Sequence, residues 1–348
     1  MANIRDVANK SNVSIATVSR ILNGDKNLVV LEETRQRVLD AIEELEYKPI
    51  GGRGRKKQHQ IVLPKRKIGL LTWNSEEDDK ADPYFKEIIF GIEDKAKELN
   101  MDIVSTHRLR QWKQDDQLEG MEGIIVIGKS SAADIAGIFP GNNIVFIDQS
   151  PEKHQFDSVR PDLEQATEEA LEHLMSLGHR SIGFIGGREF KERLLSKKLE
   201  VHDARFTHFR RYMLERDLYR EEYAFLGNDD VGDWTTKAGY ELMKKAIAQK
   251  RLPTAFFIAS DPMAIGAMRA LHEAGYRVPE DVSLASVDDI DFALYVTPPL
   301  TTTRLFSRQI GMSAVQLLKE RIEGREVPLT ITVSTELKIR QSTGKKES

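Results

Sequence analysis

Apolar positions recur at helical spacing through the first 47 residues, then give way from residue 67 to short apolar runs alternating with amphipathic stretches. Asn3 is placed to cap a helix over Ile4–Lys10, with Asp6 three positions on, near the positive helix end. Ser14 caps a second helix, Ile15–Leu22, which Asn23-Gly24 ends. A third, Glu32–Glu46, carries Val38, Ala41, Ile42 and Leu45 on one face. With Ala8, Val13 and Val18 turned inward, the three share one small core. Pro49 stops the third helix, and three glycines with a run of cations make residues 50–66 a linker by composition.

The body reads differently. Strands are expected at Lys67–Trp73, Asp102–Thr106, Gly123–Ile127, Ile144–Asp148, Ser181–Gly186, Thr254–Ala259 and Ser283–Val287. Helices are expected at Pro83–Leu99, Asp162–Leu177, Ala204–Glu215, Thr235–Lys250 and Pro262–Ala274. Such alternation implies parallel βαβ layers. Residues 67–343 are too many for one doubly wound sheet, so two α/β lobes with a cleft between them are expected. The organisation is a helical domain at 1–49, a linker at 50–66 and a two-lobed α/β domain at 67–343, an α plus α/β fold. The last eight residues, Gln341–Ser348, are polar and lack an apolar heptad, which points to a dimer without a tetramerising segment.

Charge divides the chain unevenly. Residues 1–67 hold 14 Lys+Arg against 8 Asp+Glu, the remainder 37 against 47, and the stretch 48–67 has eight cations and no acid. A basic module on an acidic body implies a polyanion bound at one end, although a solvated linker carries the same signature. The chain has no cysteine, which excludes disulfides, thiolate metal sites and cysteine nucleophiles. No run of about 18 uncharged apolar residues occurs, so neither a membrane span nor an export signal is expected. The setting these features imply is cytoplasmic.

Ser11-Asn12-Val13-Ser14 makes the tight turn of a helix-turn-helix, and the second helix then presents Thr17, Ser19, Arg20 and Asn23 to one side. Those side-chain types reach base edges and phosphates in a major groove. A three-helix bundle of a protein-binding module has the same spacing. The runs Ile4-Arg5-Asp6-Val7-Ala8, Val13 to Asn23, Thr34-Arg35 and Tyr47-Lys48-Pro49 resemble the DNA-binding headpiece of the lactose repressor/galactose repressor family. The similarity continues through Leu177-Gly178-His179-Arg180, Asp261 to Ala267 and Pro298-Pro299-Leu300-Thr301-Thr302, and the stretch from Gly183 to Met213 is most similar to the branch regulating galactoside use. The resemblance implies a homodimeric repressor whose periplasmic-binding-protein-like body senses a small sugar and whose headpiece binds operator DNA. It makes Ile15 and Ala16 the operator-choosing positions, suited to thymine methyls, with Ser19, Arg20 and Asn23 supplying hydrogen bonds and Ser14 and Thr17 holding phosphates. The family's minor-groove leucine falls on Lys56 here, so Arg53, Arg55 and Lys56 are expected to work by charge instead.

A sugar site needs carboxylates and an arginine to grip hydroxyls, and an aromatic face under the ring. The resemblance places Asp148, Arg205, Trp234 and Asp288 in that role, with Trp73 and Tyr84 as further pocket candidates and Ser260 where several relatives carry asparagine. Taken singly, Asp288 reads equally as a helix cap, Arg205 as a surface ion pair and Trp234 as core. A purine or sugar-phosphate corepressor on the same fold, or an α/β enzyme with a nucleic-acid-binding appendage, are the rival readings. No phosphate-binding glycine loop or nucleophile elbow supports the latter. His202 and His208, six apart, are expected at the surface. No catalytic residue, metal or cofactor is expected.

Overall fold

The computed structural model describes residues 2–22, 25, 28, 30–45, 47, 65–73, 83–112, 118–191, 199–201, 203–227, 234–249 and 251–346. The expectations for Asn23, Arg53, Arg55, Lys56 and His202 lie outside these residues. Contacts divide the chain into two units, Met1–Lys65 and Arg66–Ser348.

The first unit has three helices: α1 (Ile4–Ser11), α2 (Ile15–Leu22) and α3 (Glu32–Glu44). The Asn3 side chain accepts from the Arg5 and Asp6 amides, and Asp6 accepts from the Asn3 amide in return, so the first turn's donors are satisfied reciprocally. Asn12 leaves α1 in the left-handed region (φ 52°), a conformation its short polar side chain tolerates. Ser14 Oγ then accepts the Thr17 amide at 3.0 Å and opens α2. Val7, Ala8, Val18, Ile21, Val38, Ala41 and Ile42 form the core.

In the second unit the chain first builds β1 (Arg66–Thr72), α4 (Pro83–Glu98), β2 (Met101–Arg108), β3 (Gly123–Ile127), α5 (Ala132–Ile138), β4 (Ile144–Ile147) and β5 (Asp157–Pro161). It crosses into a second lobe for α6 (Leu163–Ser176), β6 (Ile182–Gly186), the hairpin β7 (Glu189–Lys191) and β8 (Leu199–Val201), α7 (Ala204–Leu214), β9 (Ala224–Leu226), α8 (Thr236–Ile247), β10 (Ala255–Ile258), α9 (Asp261–Glu273), β11 (Ser283–Asp288) and β12 (Thr301–Arg304). It then returns to the first lobe for α10 (Ser307–Ile322) and β13 (Thr330–Val333), and crosses a third time to β14 (Glu336–Lys338). The sheets run β13-β5-β4-β3-β1-β2 and β14-β12-β11-β10-β6-β9. Every pairing in both is parallel except that of β14 with β12.

Both faces of each sheet are covered, which is why the central strands read as unbroken apolar runs. Ile124 and Val126 of β3 enter one core while Ile125 and Ile127 enter another, and Phe256 and Ile258 of β10 part from Ala255 and Phe257 in the same way. The expected strands and helices are all present to within a few residues. Not anticipated were β5, β7–β9, β12–β14, α5 and α10. The β12 sequence, Thr-Thr-Thr-Arg, has no apolar residue to betray it, yet its three threonines are fully buried. Burial is tolerated because Thr301 and Thr302 are hydrogen-bonded to the Thr343 hydroxyl and the Asp261 carboxylate.

Helix pairs lie at backbone contact in each lobe. A Cβ added to Gly311 of α10 would stand 2.1 Å from the Ile88 carbonyl oxygen of α4, and one added to Gly266 of α9 would stand 1.9 Å from that of Thr236 in α8. The polar C-terminal segment is docked on the second lobe. His179 Nε2 meets the Gly344 carbonyl at 3.0 Å, His173 Nε2 meets Thr343 Oγ1 at 2.9 Å, and the Lys346 amide donates to Leu177.

Candidate functional site

On the headpiece, α2 buries Val18 and Ile21 and turns Ser14, Ile15, Ala16 and Arg20 to solvent, with Thr17 and Ser19 half-buried beside them. Ile15 is 42% exposed, an apolar side chain held outward at the helix start. Arg20 pairs with Asp25 at 2.7 Å, a pair open to solvent on both sides. Such pairs contribute about 0–1 kcal/mol, so the guanidinium exchanges partners readily.

In the second unit the first lobe contributes strand ends. Asp148 follows β4 with φ 68°, and its Oδ1 accepts the Tyr84 hydroxyl at 2.7 Å. Burial pushes the Asp148 carboxyl up from its ordinary value, against the Tyr84 hydrogen bond and the nearby Lys129 and Arg205 charges. Burial, with Asp148 beside it, likewise raises the Tyr84 hydroxyl well above its usual range. Trp73 follows β1 and is seated on Gly128, where a Cβ would overlap the indole, and meets Phe85 edge to face at 5.5 Å.

The second lobe supplies the arginine. Asp203 caps α7 and grips Arg205 with both oxygens, taking Nε at 3.0 Å and Nη2 at 2.9 Å. Arg205 Nη1 donates to the Ala259 carbonyl at 2.7 Å, and the guanidinium lies 4.4 Å from the centre of the Trp234 ring. Burial works to raise Asp203, but Arg205 outweighs it and holds the carboxyl below the ordinary range. Burial opposes the charge of Arg205 too, yet Asp203 and Asp288 hold it well above its usual value. Trp234 is seated on Gly187, a second indole on a glycine. One face of this indole is therefore given to the guanidinium, which a sequence reading of a sugar platform did not foresee.

Asp288 ends β11 at φ 121°, and its Oδ2 accepts the Asp261 amide at 3.4 Å. Its charge acts on both Arg205 and, across the cleft, Tyr84, so it is both a cap for α9 and part of the site's field. Ser260, just before α9, is 2% exposed and its hydroxyl has no partner among the described residues. Beneath it Asp261 accepts from Ser286, Thr302 and the Ile290 amide, and burial pushes its carboxyl up to about 7.

All seven residues expected around the pocket thus stand at the ends of β1, β4, β10 and β11 or the starts of α4, α7 and α8. Asp203, Lys129 and Glu189 were not singled out. Asp203 had a legible signal, a capping aspartate two residues before the arginine. His208 was expected at the surface; its side chain is 19% exposed because α7 packs against α6, whose Glu164 lies 4.0 Å away. Among the described residues no group of His, Asp or Glu is arranged to hold a metal, and no helix is long and apolar enough to cross a membrane.

Residues 3–49 match the family described as bacterial regulatory proteins, lacI family, and residues 171–343 match a periplasmic binding protein-like domain. The chain is 40% identical to the HTH-type transcriptional repressor MelR of Bacillus subtilis over 99% of its own length and 98% of the relative's. It is 38% identical to the HTH-type transcriptional regulator GalR of Lacticaseibacillus casei, covering 98% and 99% of the two chains. Among solved structures, a transcriptional regulator CelR–cellobiose complex superposes with a TM-score of 0.68 at 24% identity over 98% of this chain and all of the other.

Proposed function

Because the chain belongs to the lacI family of bacterial regulatory proteins and is a DNA-binding transcriptional regulator, we propose that it is a cytoplasmic, dimeric repressor released from its operator by a neutral, galactoside-like sugar. The pairing of the cleft's cations carries the ligand class. Arg205 is matched by Asp203 and Lys129 by Glu189, with Asp148 and Asp288 adding negative charge. A phosphorylated ligand needs cations in excess of carboxylates; a polyhydroxyl ligand needs the mixed donors and acceptors found here. Trp73, Tyr84, Trp234 and the Ser260 hydroxyl, which has no partner among the described residues, complete the wall.

Thermal unfolding against galactose, lactose, galactose phosphate and purine bases tests this. A sugar at a hundred times its Kd stabilises the effector unit by about 2.7 kcal/mol, and operator affinity should fall in its presence. Stabilisation by the phosphate or purine alone, with tighter operator binding, would instead establish a corepressor.

On DNA we assign Ile15 and Ala16 to thymine methyls, Ser19, Arg20 and Asn23 to hydrogen bonds, and Ser14 and Thr17 to phosphates. One dimer then spans one pseudo-palindromic site. Phe292, Leu294 and Tyr295, 69%, 51% and 81% exposed on the second lobe, are among the exposed apolar side chains, and we assign them to contact with the second copy. Arg53, Arg55 and Lys56 replace an apolar wedge with charge. Changing all three to alanine should weaken operator binding and flatten the slope of log K against log salt by roughly three per subunit at most, since each neutralised phosphate contributes about 0.9. An unchanged slope would show that the recognition helices bind alone.

A further inference from the structure

Two residues outside the assigned effector set join the lobes. Lys129 directly follows Gly128 beyond β3 in the first lobe, and Glu189 begins β7 in the second; their side chains form an ion pair across the cleft, each 21% exposed. The pair lies within the field of both halves of the site. Lys129 acts on Asp148 in its own lobe and on Asp203 in the other, while Glu189 is acted on by Asp203 and Arg205. The hairpin that carries Glu189 is stapled by Arg188, which pairs with Glu200 and lies 5.1 Å from the Phe190 ring centre, and it leads to Asp203 and Arg205 at the start of α7. Each indole of the cleft is seated on a glycine close in sequence to one end of this bridge, Trp73 on Gly128 and Trp234 on Gly187.

We propose that Lys129 and Glu189 are positioning residues of the effector switch, an interlobe tie that holds the Asp148 half and the Arg205 half of the site together. This rests on the reading of the cleft as the effector site. The tie is made when the lobes stand together and must break when they part, so it shifts the population from which effector binds.

The charges facing Glu189 give the tie a proton linkage. Among the described residues these are Lys129 from the first lobe and Asp203 and Arg205 from the start of α7. Burial first, then the Asp203 charge, push the carboxyl from an ordinary 4.5 up to about 7, against the opposing pull of Lys129 and Arg205. The joined state therefore binds the proton more tightly than a parted, solvated one. Joining is favoured in acid, and that advantage is lost as pH rises through about 7. On joining near neutrality a solvent proton passes to the Glu189 carboxylate, and the neutral acid still accepts from the Lys129 ammonium through its carbonyl oxygen.

Acrylamide quenching of the full-length protein, in a Trp112→Phe background so that only the cleft indoles emit, tests the tie without any ligand. The quenching constant should rise about twofold between about pH 6 and about pH 8 as the lobes part. Glu189→Gln should hold the low value at both, since the amide keeps the bridge and carries no charge. Lys129→Met should exceed the parent at the higher pH, where an ionised Glu189 has lost its cation. Lactose affinity should fall about threefold over the same range in the parent and stay level in Glu189→Gln. A pH slope that survives in Glu189→Gln would place the proton elsewhere, Asp261 being the other carboxyl raised to about 7, and would overturn the proposal. So would a flat parent, or a Lys129→Met variant indistinguishable from it. If lactose and galactose leave the indoles unprotected while the slopes behave as described, the effector assignment fails and the tie stands.

Discussion

Replacing Arg205 with alanine is expected to abolish induction while leaving repression intact. The guanidinium makes three hydrogen bonds inside the protein, two to Asp203 and one to Ala259, and still has N–H groups to offer a bound hydroxyl. Removing it costs the ligand about 1–3 kcal/mol, a roughly fivefold to more than hundredfold loss of affinity. It also leaves Asp203, whose side chain is 4% exposed, without its cation and removes the cation from the face of Trp234. The effector unit should therefore lose up to about 3 kcal/mol of stability as well. Arg205→Lys, with a point charge in place of the fork, should fall between the two in affinity. Sugar titration calorimetry and an operator gel shift on the same preparations separate the effects. Sugar affinity at the wild-type level in the alanine variant would remove Arg205 from the site.

Val18→Asp should eliminate operator binding and spare the effector unit. Val18 is fully buried in a core that, among the described residues, comprises seven buried side chains. A domain of that size is stable by a few kcal/mol, and a carboxylate with no partner in its core costs about that much. Because contacts divide the chain at Lys65 and Arg66, the loss should stay local. Operator affinity should fall more than a hundredfold, while sugar binding and the thermal transition of the larger unit remain at wild-type values. A coincident loss of sugar binding would mean that the units fold as one.

The helices of the headpiece and the central strands of both sheets could be read from the chain because their burial is written in period 3.6 or in continuous apolar runs. The sheet margins could not. β12 is buried through hydrogen bonds made by Thr301 and Thr302 to residues 42 and 41 positions away, information no local pattern holds. At the site, Arg205 and Asp288 were visible through family resemblance and through their places at element ends. Asp203 was visible in principle as a cap. Lys129 and Glu189 were not, since each is an ordinary surface-type residue in sequence and only the meeting of two lobes makes them neighbours. Trp234 shows the converse: its position was legible, but the guanidinium on its face depends on α7 and the loop before α8 converging.

The glycine contacts between helices have a mechanical consequence. Gly91 and Gly311 lock α4 to α10, Gly239 and Gly266 lock α8 to α9, and no side chain fits between the backbones. Each lobe is thus stiff against shear along its helix pair, and compliance is left to the three short spans where the chain passes from one sheet to the other. One of them holds Phe306 at φ 50°, a left-handed backbone that costs a phenylalanine about 1 kcal/mol or more and stores elastic energy at the root of α10. With the helix pairs locked in this way, bending between the lobes is left to the spans that join them.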